Sequence, residues 1–303
     1  MPEPDKIDTS DPKPSTQPRR VGPENDTHAE PPYINLSGYR FVSLEYLPVL
    51  QADMHAALAQ IGVLGTVLLA DEGINIALTG TVEQTRAARA YFDSDVRFAK
   101  IWLKESESQV IPFSKLKVRI RYEIIAFDGP EAGDRQLKRA IAPSISPELV
   151  QQWLDSDQDF TLLDTRNTYE IESGTFSKAE HLDIAHFRDF QDAVNQALEK
   201  GELDKNKPTV TFCTGGIRCE KAAPWMLEQG FKEVYQIEGG ILNYFEQTGG
   251  RHWEGDCFVF DDRVEVDKSL APTGASWCTE CQLTVPPGKI CPCQRSHSAI
   301  DMV

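Results

Sequence analysis

Residues 209–222 limit the folds open to this chain more than any other stretch. The apolar, β-branched run 209–212 ends at Cys213, two glycines follow, and a helical pattern begins after Arg218. This order predicts a strand, a tight loop and a helix, with a thiol at the end of the strand. Because strands and helices alternate around it, we expect a parallel sheet whose ligands bind at the carboxyl ends of its strands.

The loop after Cys213 has the composition of an anion-binding site. Glycines let backbone N–H groups turn inward, and the N-terminus of the following helix adds partial positive charge. Arg218 adds a fixed cation, so the thiolate of Cys213 is favoured over the thiol. The predicted loop residues are Thr214, Gly215, Gly216 and Ile217. We interpret Cys213 as a nucleophile or a persulfide carrier, the alternative being a buried strand cysteine beside an ordinary turn.

The chain has 303 residues, enough for about two or three domains with cores of their own. Its N-terminus lacks the basic start and apolar stretch of a secretory signal, and no apolar run is long enough to span a membrane. We therefore expect no membrane association and a reducing, cytoplasmic location for the seven cysteines. The net charge of -16 argues against a protein that coats nucleic acid along its whole surface, but it is compatible with a local basic patch.

Residues 1–30 are rich in proline, acidic and hydroxyl side chains, which predicts a disordered tail. Residues 31–128 follow as a first folded block in which strands and helices alternate. The predicted strands are 39–44, 64–69, 74–78, 98–103 and 116–125, and the predicted helices are 48–61 and 81–92. The order β-α-β-β-α-β with one additional strand predicts a ferredoxin-like α+β domain. The polar turn Asp71-Glu72-Gly73 is either a simple hairpin or a functional loop.

The last predicted strand of this block carries its clearest binding pattern, because basic and apolar residues alternate over 115–121. A period of two places the cations on one face and the aliphatic side chains on the other. Like charges without an acid among them repel one another, which favours an anionic partner over a merely solvated face. The candidate binding residues are Lys115, Lys117, Arg119 and Arg121.

Residues 129–143 are predicted to be a linker, and residues 144–248 a second, α/β domain. Ser146 and Pro147 form a strong helix start, and a short buried strand ends at Asp164-Thr165-Arg166. Because Asp164 and Arg166 end a strand beside the one that carries Cys213, we expect them to position the loop rather than to react.

These motifs resemble a rhodanese domain. The resemblance depends on residues 163–166, on Cys213-Thr-Gly-Gly-Ile-Arg218 and on Glu238-Gly239-Gly240. Protein tyrosine phosphatases place five residues between cysteine and arginine, whereas four lie between Cys213 and Arg218. The smaller loop is typical of the sulfur-handling rhodaneses and disfavours a phosphatase.

A wider resemblance covers the chain outside its N-terminal tail. The motifs at residues 71–75, 113–119, 213–221 and 255–261 are similar, in the same order, to those of the rhodanese-type tRNA uridine(34) hydroxylases. The resemblance implies a ferredoxin-like domain before the rhodanese domain, and oxygen-dependent hydroxylation of the wobble uridine at C5. It also implies that Cys213 is the essential cysteine and that tRNA is the partner of the basic strand.

Two other functions compete with hydroxylation. A sulfurtransferase would carry sulfane sulfur on Cys213 and would add a sulfur-donor protein as a partner. A non-enzymatic binding module with a vestigial rhodanese domain is disfavoured by the intact Cys213 and Arg218. Cys219 is either a resolving thiol or a buried structural cysteine, and its predicted helical position favours the structural role.

Residues 249–303 are predicted to wrap the second domain and to end in a Cys-rich segment. A CxxC pair and a CxC pair lie about ten residues apart, which predicts a structural zinc site in a segment too short to fold by apolar burial. The CxC spacing departs from the usual CxxC, and free thiols or a redox pair are alternatives. The candidate ligands are Cys278, Cys281, Cys291 and Cys293.

Overall fold

The computed structural model describes residues 33–109, 111–278, 280–291 and 293. The predicted disordered tail, residues 1–30, lies outside the described residues. Among the described residues, no helix combines the length and the apolar character needed to cross a lipid bilayer.

The N-terminal domain is one five-stranded sheet with two helices. Its elements are β1 (Tyr33–Phe41), α1 (Leu47–Ile61), β2 (Leu64–Ala70), β3 (Gly73–Gly80), α2 (Val82–Asp93), β4 (Lys104–Ser108) and β5 (Leu116–Ile120). The strand order is β4-β1-β3-β2-β5, and β5 pairs with β2 in parallel. The ferredoxin-like α+β domain with an additional strand is thereby confirmed.

The core of this domain lies between the two helices and one face of the sheet. Thr81 caps α2 by accepting a hydrogen bond from the backbone of Gln84, whose side chain in turn accepts from the Thr81 N–H. Helix α1 ends at Gly62, whose φ of 88° suits glycine. The buried side chains include Leu36, Met54, Leu58, Val67, Ile76 and Phe92.

The prediction of a strand at 98–103 is wrong. Residues 95–100 form turns, and the fourth strand is Lys104–Ser108, which pairs antiparallel with β1. Phe98, Ile101 and Leu103 bury their side chains in the core without being part of the sheet. An edge strand of sequence Lys-Glu-Ser-Glu-Ser lacks an apolar face, so its ladder hydrogen bonds leave little trace in the sequence pattern.

The central domain is built on a second five-stranded sheet. Its elements are β6 (Ser144–Ile145), α4 (Pro147–Asp155), β7 (Thr161–Asp164), α5 (Thr168–Ile171), β8 (Gly174–Phe176), β9 (Ala179–His181), α6 (Phe190–Lys200), β10 (Thr209–Phe212), α7 (Cys219–Glu228), β11 (Val234–Ile237) and α8 (Gly240–Thr248). The order β6-β11-β10-β7-β9 is parallel throughout, as expected. Strand β10 lies at its centre, and Cys213 follows directly at its carboxyl end.

The remaining segments join and cover the two domains. The predicted linker contains the short helix α3 (Arg135–Lys138). The segment after α8 forms the short strands β12 (Trp253–Gly255), β13 (Cys257–Phe258), β14 (Glu265–Val266), β15 (Ser276–Cys278) and β16 (Leu283–Val285). Because β12 pairs with β8, this segment is attached to the central domain by backbone hydrogen bonds.

Candidate active site

The Cys213 sulfur is fully buried at the start of the loop between β10 and α7. The backbone N–H of Gly216 donates a hydrogen bond to Cys213 Sγ at 3.1 Å. Burial by itself raises the pKa of the Cys213 thiol. A hydrogen bond from the Cys219 thiol, the charge of Arg218, and the N–H groups of Arg218 and Cys219 outweigh burial and lower this pKa to about 6. Cys213 is therefore largely a thiolate near neutral pH.

The start of α8 holds the loop in place. The N–H groups of Ile241 and Leu242 donate to the carbonyls of Cys213 and Thr214 at 3.0 and 3.1 Å. A Cβ on Gly240 would lie 2.4 Å from the Cys213 carbonyl oxygen, so this close approach requires glycine. The Glu238-Gly239-Gly240 motif thus fixes the backbone that carries the thiolate.

Arg218 closes the loop through a buried ion pair. Its Nη1 and Nη2 lie 2.5 and 2.8 Å from the two carboxylate oxygens of Glu170 in α5. The backbone N–H of Asn167 also donates to Glu170, at 3.1 Å. Burial disfavours the charged guanidinium, but Glu170 outweighs this and keeps the pKa of Arg218 well above its usual value. Arg218 therefore stays charged next to the thiolate while Glu170 fixes its direction.

Asp164 and Arg166 form a second buried pair behind Glu170. Arg166 Nε and Nη2 lie 2.9 and 2.6 Å from the carboxylate oxygens of Asp164. Arg166 also donates to the carbonyls of Glu170 and Gly174 at 3.3 and 2.7 Å. Their contacts are with the backbone around Glu170, which suits the predicted positioning role.

Helix α7 connects the site to the N-terminal domain through a buried ion cluster. Lys221 Nζ lies 2.8 Å from Glu72 Oε1 and 2.6 Å from Glu123 Oε1, and all three side chains are at most 3% exposed. Glu72 belongs to the turn between β2 and β3, which is therefore more than a solvent-exposed hairpin. Burial raises the pKa of Glu72, and the ammonium of Lys221 opposes that rise.

The N-terminal domain also contacts the loop directly. The Tyr39 hydroxyl donates to Glu220 Oε1 at 3.4 Å, and it lies 3.0 Å from the position that a Cβ on Gly216 would occupy. The indole of Trp102 lies against Gly239. The candidate site is therefore bounded by both domains.

Comparison with known proteins agrees with this two-domain arrangement. A profile of the UPF0176 acylphosphatase-like domain matches residues 33–124, and a profile of the rhodanese-like domain matches residues 146–247. The tRNA uridine(34) hydroxylase of Cupriavidus taiwanensis is 45% identical over an alignment of 278 residues, and the match covers 86% of this chain and 95% of that protein. The chain belongs to the tRNA uridine(34) hydroxylase family.

Further members of the family show similar coverage. The tRNA uridine(34) hydroxylase of Bordetella petrii is 43% identical over 250 residues, covering 81% of this chain and 97% of that protein. That of Xanthomonas euvesicatoria pv. vesicatoria is 44% identical over 244 residues, covering 79% and 96%.

The basic side chains of the predicted strand lie on the face of the sheet opposite the core of the N-terminal domain. Val118 of β5 packs into the core, so Lys117 and Arg119 project from the opposite face. Register places Arg119 beside Leu68, Leu68 beside Asn75, and Asn75 beside Tyr39. The basic side chains thus share a sheet face with Tyr39, about three strand spacings or ~14 Å away.

The C-terminal cysteines come together as the sequence predicts. The sulfur atoms of Cys278, Cys281, Cys291 and Cys293 all lie within 4.8 Å of one another. The hairpin β15–β16 supplies the first pair, and the chain after β16 returns to place the second pair against it.

Sequence reasoning missed Glu170 and Lys221 as parts of the site, and it left the turn that contains Glu72 open between a simple hairpin and a functional loop. Glu170 follows Asn167 by three residues at a helix start, a pattern that identifies a capping pair but not an arginine partner.

Cys219 is fully buried with its sulfur 3.8 Å from Thr165 Oγ1. Burial and the neighbouring Cys213 raise the pKa of Cys219 well above its usual value, so it remains a thiol and donates to the thiolate.

Proposed function

We propose that this protein hydroxylates the uridine at position 34 of tRNA to 5-hydroxyuridine, with molecular oxygen as co-substrate, an external two-electron donor that reduces the second oxygen atom to water, and Cys213 as the essential thiolate. The observation that carries the proposal is the agreement between family and geometry. Relatives at about 45% identity are tRNA uridine(34) hydroxylases, and here the thiolate lies in a loop stabilised by Gly216, Arg218 and Glu170. The proposed tRNA substrate supports a cytoplasmic location for the protein.

The residues of the site have different roles. Cys213 supplies a nucleophilic sulfur that forms covalent bonds, or that attacks the outer sulfur of a donor protein's persulfide to become a persulfide itself while the donor leaves as a thiolate. Arg218 and the loop N–H groups keep this sulfur ionised, and Glu170 with the Asp164–Arg166 pair holds Arg218 in place. The covered position of the sulfur excludes bulk water, which strengthens each of these interactions.

Nucleoside mass spectrometry tests this function. Total tRNA from cells lacking this protein and all other 5-hydroxyuridine-forming enzymes is compared with tRNA from the same cells after the gene is restored. Restoration of 5-hydroxyuridine supports the proposal. Its absence, together with transfer of sulfur from thiosulfate to cyanide by the purified protein, would instead identify a sulfurtransferase.

We further propose that the basic face of β5 binds the phosphate backbone of tRNA. Replacement of Lys117 and Arg119 by glutamine is expected to weaken tRNA binding roughly tenfold at low salt and to lower the salt slope of log K by about 1.5 to 2. Fluorescence anisotropy with labelled tRNA between about 50 and 200 mM salt measures both quantities. The matched control removes two charges at the exposed Arg86 and Lys100. Equal losses in both double variants would remove β5 from the interface.

We also propose that the four C-terminal cysteines hold a structural zinc ion. Sulfur atoms bound to one tetrahedral zinc lie about 3.8 Å apart, and the four sulfurs are already gathered within 4.8 Å. Bound zinc would supply the folding energy that the small apolar contacts of this segment cannot.

Metal analysis of the purified protein checks this site. We expect about one zinc per chain after purification under reducing conditions, and loss of this zinc in the Cys281→Ser and Cys293→Ser variants. The Cys257→Ala variant, which changes a buried cysteine outside the cluster, should keep its zinc. A protein whose cysteines all react as free thiols in a titration, and which binds no stoichiometric metal, would contradict the proposal.

A further inference from the structure

Two aromatic side chains of the N-terminal domain lie against the backbone that surrounds Cys213. The Tyr39 hydroxyl lies over Gly216, whose N–H is the donor to the Cys213 sulfur. The Trp102 indole lies over Gly239, with its Cη2 atom 2.4 Å from the position of a Cβ there. The Trp102 contact leaves no room for a side chain at Gly239, and the Tyr39 contact would be tight against a side chain at Gly216.

The two glycines also have backbones that favour glycine. Gly216 has a φ of +95° and Gly239 a φ of +66°. Gly240, which follows Gly239, packs directly on the Cys213 carbonyl. Tyr39 and Trp102 therefore lie against two neighbouring stretches of the close-packed backbone around Cys213.

Each aromatic residue is held by contacts within the protein, while the Tyr39 hydroxyl and part of the Trp102 indole remain able to contact a ligand. Tyr39 donates weakly to Glu220 at 3.4 Å, and its ring contacts Phe41 edge-on at 6.0 Å between centroids. Burial, together with the nearby Glu220 and Cys213, raises the pKa of Tyr39, so its hydroxyl stays protonated, and a ligand oxygen would accept this single proton in place of the distant Glu220 carboxylate. The Lys104 ammonium lies over the Trp102 ring, 5.9 Å from its centroid, and Trp102 as a whole is still 53% exposed, so about half of this residue is open to a ligand.

These properties match the way proteins hold an unpaired base. Single-stranded bases are recognised by stacking on aromatic rings and by hydrogen bonds to their edges, and enzymes that modify a base take it out of the stack. An indole and a phenol hydroxyl next to one thiolate offer both interactions to a single pyrimidine.

Building on the proposed function, we propose that Tyr39 and Trp102 form the base-binding wall of the site. Trp102 stacks on the uracil ring of the target nucleotide, and the Tyr39 hydroxyl donates to one of its carbonyl oxygens. The N-terminal domain thus contributes substrate contacts to a site whose thiolate belongs to the central domain. Because β5 lies on the same sheet face as Tyr39, its basic side chains are placed to contact phosphates that flank the target nucleotide.

Steady-state kinetics of tRNA hydroxylation is the first test. Trp102→Ala should lower kcat/KM about 5- to 100-fold, the range of one lost stacking interaction, and Trp102→Phe should recover most of this loss. Tyr39→Phe should lower it about 3- to 10-fold. The matched control is Tyr46→Phe, which removes a hydroxyl from a tyrosine that is 80% exposed. The alkylation rate of Cys213 should remain unchanged in Trp102→Ala and Trp102→Phe, which shows that the loop is intact.

RNA binding followed by tryptophan fluorescence is the second test, and it does not need turnover. An anticodon stem-loop with uridine at position 34 should quench the wild-type protein more than Trp102→Phe, which keeps four of the five tryptophans. An abasic nucleotide at position 34 should remove this difference.

The outcomes separate the two proposals. A wild-type protein that forms no 5-hydroxyuridine contradicts the proposed function, while the fluorescence test still reports whether Trp102 meets a base. Unchanged kcat/KM in Trp102→Ala, or equal quenching by the uridine and abasic RNAs, would overturn the base-binding wall in a protein that is an active hydroxylase.

Discussion

Replacement of Cys213 by serine is expected to reduce 5-hydroxyuridine formation by about three orders of magnitude or more. A serine hydroxyl does not ionise near neutral pH, so the loop N–H groups and Arg218 would have no anion to stabilise. The chain would keep its fold, because oxygen fits where the buried sulfur lies. The measurement is nucleoside mass spectrometry of tRNA after incubation with each purified variant.

The ionisation of Cys213 predicts a pH dependence for the reactivity of this thiol. With a thiol pKa of about 6, the thiolate fraction rises from pH 5 to pH 7. Alkylation of Cys213 by iodoacetamide should therefore be slow at pH 5, half-maximal near pH 6 and nearly constant above pH 7. Peptide mass spectrometry locates the modified cysteine.

A matched variant separates loss of this thiol from general damage. Cys257→Ala removes another fully buried cysteine, whose thiol pKa is raised by burial to about 12. It should retain activity. Full activity in Cys213→Ser, or equal losses in both variants, would refute the assignment of Cys213 as the essential thiolate.

Replacement of Lys221 by methionine is expected to destabilise the protein by about 3–5 kcal/mol at pH 7. The change leaves Glu72 and Glu123 buried without their shared cation, and methionine fills a similar volume. The free energy of unfolding by urea, followed by circular dichroism, measures the loss. Activity should fall as well, because α7 begins directly after the Cys213 loop.

The pH dependence of this loss has a definite sign. Burial already raises the pKa of Glu72 in the folded protein, and without Lys221 that pKa rises further above its unfolded value. A carboxyl with a raised folded pKa stabilises the fold less as the pH rises through that pKa. The difference between Lys221→Met and wild type should therefore grow from pH 5 to pH 7.

Two further variants check the cause. Lys232→Met removes an exposed lysine of the same domain and should change the unfolding free energy by about 0.5 kcal/mol or less. Combining Lys221→Met with Glu72→Gln should cost less than the sum of the two single changes, because the glutamine removes one unpaired charge. Strict additivity would show that Lys221 and Glu72 do not interact.

Local patterns in the sequence predicted most of the fold. The Thr81 cap, the Gly62 helix end and the alternation around residues 209–228 depend on neighbouring residues, so they are visible without the tertiary structure. Strand β4 was missed because an exposed edge strand leaves no apolar alternation. The short strands β12–β16 were equally hidden, because only their pairing partners define them.

The candidate site also has a part that local sequence patterns predict and a part that they do not. The Cys213 loop lies within one strand–loop–helix unit, and its glycines and Arg218 already indicated a stabilised thiolate. Glu170 lies 48 residues from Arg218 in sequence, and Glu123 lies 98 residues from Lys221. Neither pairing has a local signature, because any acidic residue could satisfy either cation.

The sequence by itself determined the two-domain order, and it predicts a reactive cysteine and a basic binding strand, because each of these features depends on residues close together in the chain. Only the tertiary structure decided what surrounds the thiolate: Glu170 behind Arg218, the Lys221 cluster beneath the loop, and Tyr39 and Trp102 above it. The Glu170 contact forms within the central domain, between residues far apart in the sequence, and the Lys221, Tyr39 and Trp102 contacts form when the N-terminal domain packs on the central domain. The packing of two surfaces depends on the shape and buried charge of many residues that are distant in sequence. No local sequence pattern therefore predicts it.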